Sequence, residues 1–214
     1  MHVQVVLGLC NRLRVMFSYL MRYPPPLTVT WIKDRDCDAH FQDLFEYGSL
    51  KNIVIFDELP GYEKRVDVRT FEKHPQITWK EVGNALKLHL RPIPSLQQRI
   101  SNQLQTMGPD FVAVHIRRTD HVALAREHDK FTEDDVFLQF LDKQNGNIWC
   151  ATDNEETCKL LFARYGQRVR YLHHSEGRFG PLQDAVVDMY LCINASEFQG
   201  TKFSSFSRCI KEMR

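Results

Sequence analysis

The stretch Phe111-Val-Ala-Val-His-Ile-Arg-Arg-Thr-Asp120 decides the fold. Phe111-Val112-Ala113-Val114 is apolar, aromatic and β-branched, the composition of a strand buried on both faces of a parallel sheet. His115, Arg117, Arg118 and Asp120 come directly after it. In open α/β sheets, ligands bind beyond the carboxyl ends of strands. An arginine presents a planar fork that matches two phosphate oxygens. A buried strand running into His-x-Arg-Arg-x-Asp therefore predicts a site for a phosphorylated ligand. The competing reading is a solvated loop in which the arginines pair with Asp120.

Towards the C-terminus, residues 122–130 lack strong periodicity and read as a loop over the site. A helix acidic in its first turn follows from Thr132, with Val136, Phe137, Phe140 and Leu141 as its buried stripe. Residues 147–151 read as a strand ending in Thr152-Asp153-Asn154, and residues 155–165 as a helix. A strand at 169–172 and a helix at 183–194 come next. Asp188 stands among apolar residues of that helix. A buried carboxylate needs a donor, and the N–H groups of a purine are suitable ones. An exposed position would need none. After a short strand at 197–199, Gly200-Thr-Lys-Phe-Ser-Ser-Phe-Ser207 turns into a terminal helix at 208–214. Such a turn offers hydroxyls and N–H groups to a phosphate, or else is an ordinary serine cap.

Towards the N-terminus the same alternation holds. Residues 3–7 read as a strand, and Gly8-Leu-Cys-Asn-Arg-Leu-Arg14 leads into a helix. A strand, a glycine and a helix can aim backbone N–H groups at an anion. Asn11 and Arg12 can equally be a helix cap and a solvated charge. Pro24-Pro25-Pro26 breaks the chain before a strand at 27–32. Asp34, Asp36 and Asp38 then alternate, as either a solvated turn or a divalent-cation site. A helix at 40–47 and a strand at 51–57 follow. The pattern loosens up to Pro94, with an amphipathic piece near 79–90, and Ser95 is expected to cap a helix through Met107. Strands alternating with helices imply parallel pairing. The boundary between two domains, 1–94 and 95–214, is placed near the proline-bracketed segment 90–94.

The totals narrow the class. A chain of 214 residues with net charge +1 suits one or two domains and has no basic excess for a nucleic-acid partner. Its six cysteines form no Cys-x-x-Cys pair, which favours buried free thiols over a disulfide framework or a zinc site. No apolar run approaches the roughly 20 residues of a membrane span, and the apolar start leaves no room for a signal peptide. A cytoplasmic location is the expectation.

Taken in order, Gly8-Leu-Cys-Asn-Arg-Leu-Arg14, His115-Ile-Arg-Arg-Thr-Asp120, Ala151-Thr-Asp-Asn154, Asp188 and Phe203-Ser-Ser205 resemble the fucosyltransferase superfamily. That group includes the α1,6-fucosyltransferases, the nodulation fucosyltransferase and the protein O-fucosyltransferases. The resemblance covers residues 111–214 best. It implies a GT-B-like α/β fold of two Rossmann-like halves facing a cleft, the N-terminal acceptor-side half being reduced. It also implies inverting, metal-independent transfer of L-fucose from GDP-fucose to a glycan hydroxyl, with the nucleotide sugar as substrate and no cofactor. On this likeness Arg117 and Arg118 hold the diphosphate, His115 and Asp188 read the guanine, and Asp153 lies near the nucleotide or organises the cleft. Ser204 and Ser205 donate to phosphate oxygens, while Gly8, Asn11 and Arg12 close on the pyrophosphate from the other side. The Lys and Glu that α1,6 members carry after the central Asp are replaced by His121 and Ala125. The base is therefore sought among Glu127, Asp120 and His121, in that order. Alternatives are another donor, such as UDP-xylose or GDP-mannose, a metal-dependent transferase using the three aspartates, and an inactive nucleotide- or glycan-binding module.

Overall fold

The computed structural model describes residues 1–47, 50, 52–58, 66–172 and 181–214. They form two compact α/β units, Met1–Ile93 and Pro94–Glu212. In the first, β1 (His2–Val5), β2 (Leu27–Thr30), β3 (Ile53–Phe56) and β4 (Val68–Thr70) pair in parallel in the order β3-β2-β1-β4. Helix α1 (Leu9–Arg22) follows β1, and α2 (Trp79–His89) follows β4. Leu9, Leu13, Met16 and Phe17 give α1 its buried stripe, at spacings of a helical face. The helix stops at Tyr23, ahead of the three prolines. Thr78 and Glu81 form a reciprocal capping box that starts α2.

The second unit contains α3 (Pro94–Met107), β5 (Val112–Ile116), α4 (His121–Glu127), α5 (Asp134–Leu141), β6 (Ile148–Thr152) and α6 (Glu155–Tyr165). It continues through β7 (Val169–Arg170), α7 (Leu182–Asn194), β8 (Glu197–Gly200) and α8 (Ser205–Met213). Its strands are again all parallel, in the order β7-β6-β5-β8. Each sheet thus runs outward over three strands and then returns to the far side of its first.

Alternation along β5 sorts its side chains. Val112, Val114 and Ile116 join Phe137 and Leu141 of α5 and Cys158 and Leu161 of α6 in one apolar cluster. His115 belongs to the other face and meets α8 there. All six cysteines are free and buried. Among the described residues no helix is long and apolar enough to cross a membrane.

Several expectations change. The strand read as ending at Val114 runs to Ile116, so His115 is a strand residue. The loop expected over 122–130 contains α4, and Ala125 buries completely on its inner side. The helix expected at 40–47 is a single 3-10 turn, Phe41–Asp43. Burial of the Trp31, Phe41 and Phe45 rings against one another, and the pairing of Phe45 with Pro92, override the helical pattern. Strand β4, three residues long, had no legible signal. Ser95 does not cap α3, which starts at Pro94, where a fixed φ and a missing N–H cost nothing. Val136 is exposed rather than buried. Lys51, placed in the third strand by pattern, lies outside the described residues.

Candidate functional site

The strand order of the second unit places its topological switch between β5 and β8. Chain leaving neighbouring strands in opposite directions opens a crevice at their carboxyl ends, where α/β proteins bind ligands. Arg117 leaves β5 at this point and Thr201 leaves β8. One threonine ties them together. The Thr201 N–H and hydroxyl donate to the His115 carbonyl at 3.0 and 2.8 Å, and its Oγ1 accepts the Arg117 N–H at 3.0 Å.

Asp153, just past β6, braces the same segment. Its Oδ1 accepts the Arg118 N–H at 2.8 Å and its Oδ2 accepts the Thr119 hydroxyl at 2.6 Å. The carboxylate therefore holds the backbone of the His-x-Arg-Arg-x-Asp segment in place. The Arg117 side chain reaches Asp120 at 2.7 Å and comes within 3.9 Å of Asp153. The Arg118 guanidinium pairs with Asp134 at 2.5 Å and lies against the Phe131 and Phe137 rings, leaving its side chain only 12% exposed. The two arginines are thus unequal: Arg118 is spent on α5, while Arg117 is held by acids at the mouth of the crevice. The pairing with Asp120 expected of a plain loop is present for Arg117.

Ser204 caps α8 by accepting the Ser207 N–H, and Ser205 is the helix's first residue. His115 Nδ1 hydrogen-bonds Ser207 Oγ at 2.6 Å, and its ring packs against Phe206 at 4.7 Å. Gly200 makes this approach possible: a Cβ there would stand 2.8 Å from both Cβ and Oγ of Ser207. His115, Arg117, Ser204 and Ser205 are thereby gathered around the β5/β8 switch. Asp188 is 5% exposed and accepts the Trp149 indole N–H at 3.0 Å, so its buried charge has a donor within the fold. Glu127 lies in the last turn of α4, about 10 Å along the helix from Asp120 at 1.5 Å per residue. The His121 side chain is outside the described residues.

The first unit has a matching switch between β1 and β4. Leu7 there takes the left-handed region (φ 65°), and Gly8 caps α1. Arg12 is fully buried, contrary to a solvated charge. It donates to the carbonyls of Leu7 at 2.7 Å and Ile32 at 2.5 Å and pairs with Asp34 at 2.7 Å. Its guanidinium pins the ends of β1 and β2 from inside the unit. Asp34 Oδ1 also accepts the N–H groups of Asp36 and Cys37, and Asp38 pairs with Lys33. The alternating aspartates are a hydrogen-bonded turn, and among the described residues no group of acids, histidines and cysteines is arranged to hold a metal. Burial pushes the Cys37 thiol beside this turn up to about 12. Asn11 sits in the first turn of α1 and does not cap it. Gly8 has an ordinary φ of −67°, and a Cβ there would meet nothing nearer than 3.6 Å.

Thr201 and Thr119 were not singled out by sequence. Thr201 lay inside the Gly200–Ser207 turn already suspected of phosphate binding, but its role depends on β8 pairing with β5.

Two four-stranded parallel sheets, each returning past its first strand, place the chain in the GT-B class of α/β folds. No protein-family model and no curated protein sequence matches it. Among solved structures it is similar to the NodZ α-1,6-fucosyltransferase soaked with GDP-fucose, with 13% identity over 99% of this chain and 92% of that one and a TM-score of 0.69. It is also similar to POFUT1 in complex with GDP-fucose, with 12% identity over 100% and 94% of the two chains and a TM-score of 0.69. The fucosyltransferase NodZ from Bradyrhizobium matches at 12% identity, 98% and 92% coverage and a TM-score of 0.64. The fold is that of these fucosyltransferases. At such identities the likeness is one of fold.

Proposed function

We propose that the chain is an inverting, metal-independent glycosyltransferase that moves L-fucose from GDP-fucose to a hydroxyl of a glycan acceptor. What supports this reading is the β5/β8 switch, where Thr201 ties the Arg117 backbone to the turn that carries Ser204, Ser205 and the α8 N-terminus, in a fold whose solved examples include complexes with GDP and GDP-fucose. Cations and backbone N–H groups around one point suit a diphosphate.

The acceptor oxygen attacks the anomeric carbon as the bond to the β-phosphate oxygen breaks, and the electron pair leaves on the diphosphate. Positive charge grows on the sugar and negative charge on the phosphate. Arg117 and the α8 N-terminus stand where the negative charge appears, which is the role a metal has in other transferases. Asp120 is taken as the base because it follows the β5 segment directly and lies against Arg117, whereas Glu127 stands in the last turn of α4. For Asp120 to accept the acceptor's proton, its pair with Arg117 opens as the diphosphate takes the guanidinium. His115 and Asp188 serve the guanine from the α7/α8 face of the sheet, the histidine held by Ser207 and the aspartate by Trp149.

Removing one preorganised charge of this kind costs about 3–4 kcal/mol in barrier, so Arg117→Ala lowers turnover roughly 10²–10³-fold with the fold intact. Thermal-shift titration with GDP, UDP and their sugar conjugates, followed by transfer assays, decides the reading. Preference for a uridine conjugate redirects the donor assignment. Nucleotide binding without transfer leaves the binding-module alternative, and near-normal turnover by the Arg117 variant removes the proposal.

A further inference from the structure

Phe203 is placed at a cost. Its φ of 59° lies in the left-handed region, which glycine and asparagine enter readily and a large side chain does not. Burial does little to offset that strain, since the residue is 43% exposed. The turn is clamped on either side of it. Thr201 is bound to His115 and Arg117, the Lys202 N–H donates to the buried Thr132 hydroxyl at 2.8 Å, and Ser204 caps α8. The phenyl ring is thereby held beside the β5/β8 switch, immediately before the Ser204 cap of α8. Lys130 Nζ lies over one face of the ring, 4.7 Å from its centroid, and the His128 ring is tilted against it at 5.1 Å.

We infer that Phe203 is the surface on which the hexose of the donor stacks. This inference builds on the nucleotide-sugar reading and extends it to a specificity-determining contact. A diphosphate anchored at Arg117 and the α8 N-terminus has the nucleoside at one end and the sugar at the other. The nucleobase is provided for by His115 and Asp188, on the α7/α8 face of the sheet. The sugar is the moiety left for the exposed ring. One face of a pyranose is a layer of C–H groups that packs on an aromatic ring, and the sugar takes the face of Phe203 opposite the one that Lys130 covers. Left-handed backbone strain persists at functional sites where the surrounding structure over-determines it, as here.

The test is a pair of titrations, GDP and GDP-fucose, on the full chain and on Phe203→Gly. Glycine accepts the left-handed backbone, so the variant unfolds at no lower temperature than the parent. Its affinity for GDP stays within about twofold, while its affinity for GDP-fucose falls about tenfold, the value of one lost stacking contact. An equal loss for both ligands places the ring on the nucleobase or on the turn and overturns the inference. Unchanged affinity for both overturns it as well. A wild-type chain that binds neither ligand refutes the donor reading first, and the inference falls with it.

Discussion

Replacing Thr201 by valine removes one hydroxyl and almost no volume. The residue is 4% exposed, so its hydroxyl is largely shielded from water. Two contacts disappear: the donation to the His115 carbonyl at 2.8 Å and the acceptance of the Arg117 N–H at 3.0 Å. The carbonyl keeps the Thr201 N–H, whereas the Arg117 N–H loses the hydroxyl that satisfied it. A buried donor left unsatisfied costs about 1–3 kcal/mol. For a unit of this size that lowers the unfolding midpoint by roughly 3–10 °C. The same change frees the backbone from which Arg117 projects, so GDP binding weakens in parallel. Scanning calorimetry with and without GDP reads both effects, and Thr201→Ser, which restores the hydroxyl, recovers most of each. A valine variant that melts within a degree of the parent and binds GDP unchanged would refute the account of how the β5/β8 junction aims Arg117.

Two glycines make a contrasting pair. Gly200→Ala drives a methyl against Ser207 and breaks the approach of α8 to β8, so it lowers stability by about 1–3 kcal/mol and weakens GDP binding through His115. Gly8→Ala meets only ordinary contacts, and its poorer helix capping, about 0.5–1 kcal/mol, is largely offset by the lost freedom of the unfolded chain, so chemical denaturation shifts by a few tenths of a kcal/mol and any larger loss of donor affinity reveals a ligand close to that backbone. The first unit has an acid-sensitive contact at His74. Burial, then the nearby Arg22 and Lys73, lower its pKa below the usual histidine value, and its Nδ1 accepts the Gln76 N–H at 3.3 Å. The folded state thus takes up its proton later than the unfolded chain. Its stabilising effect is present above about pH 6.5 and is lost as pH falls towards the lowered folded value. His74→Gln flattens stability against pH below neutrality, and an unchanged slope in urea titrations would rule this out.

Much of the secondary structure was legible. The apolar run before Arg117 and the helix Glu155–Tyr165 are local signals that the folded chain keeps within a residue or two, while α8, expected from Arg208, already starts at Ser205 behind its Ser204 cap. Elements whose identity depends on distant partners were missed. Strand β4 is too short to show a period and exists because it pairs with β1. The aromatic run around Phe41 follows ring packing instead of its helical spacing. The helix α4 was read as a loop because its stripe is weak.

The candidate site divides in the same way. Arg117 and His115 could be named because they follow directly on an apolar run, and Ser204 because it lies in a Gly/Ser/Thr-rich turn before a helix, and both patterns are local. Their separate duties could not. Arg117 and Arg118 are neighbours of identical chemistry, yet one pairs with Asp120 and comes near Asp153 while the other is taken by Asp134 and two phenyl rings. Arg12 reads as a surface charge until β2 brings Ile32 and Asp34 to it.

From the order of its residues alone, then, the chain determined its alternating strands and helices and the cationic segment after β5, because hydrophobic periodicity and capping act over a few residues. Only the tertiary structure decided the strand order. That order sets β8 beside β5, joins Thr201 to Arg117 across 84 positions, and so gathers the candidate site. Pairing between distant strands depends on burial summed over the whole sheet, and no short stretch of sequence carries that sum.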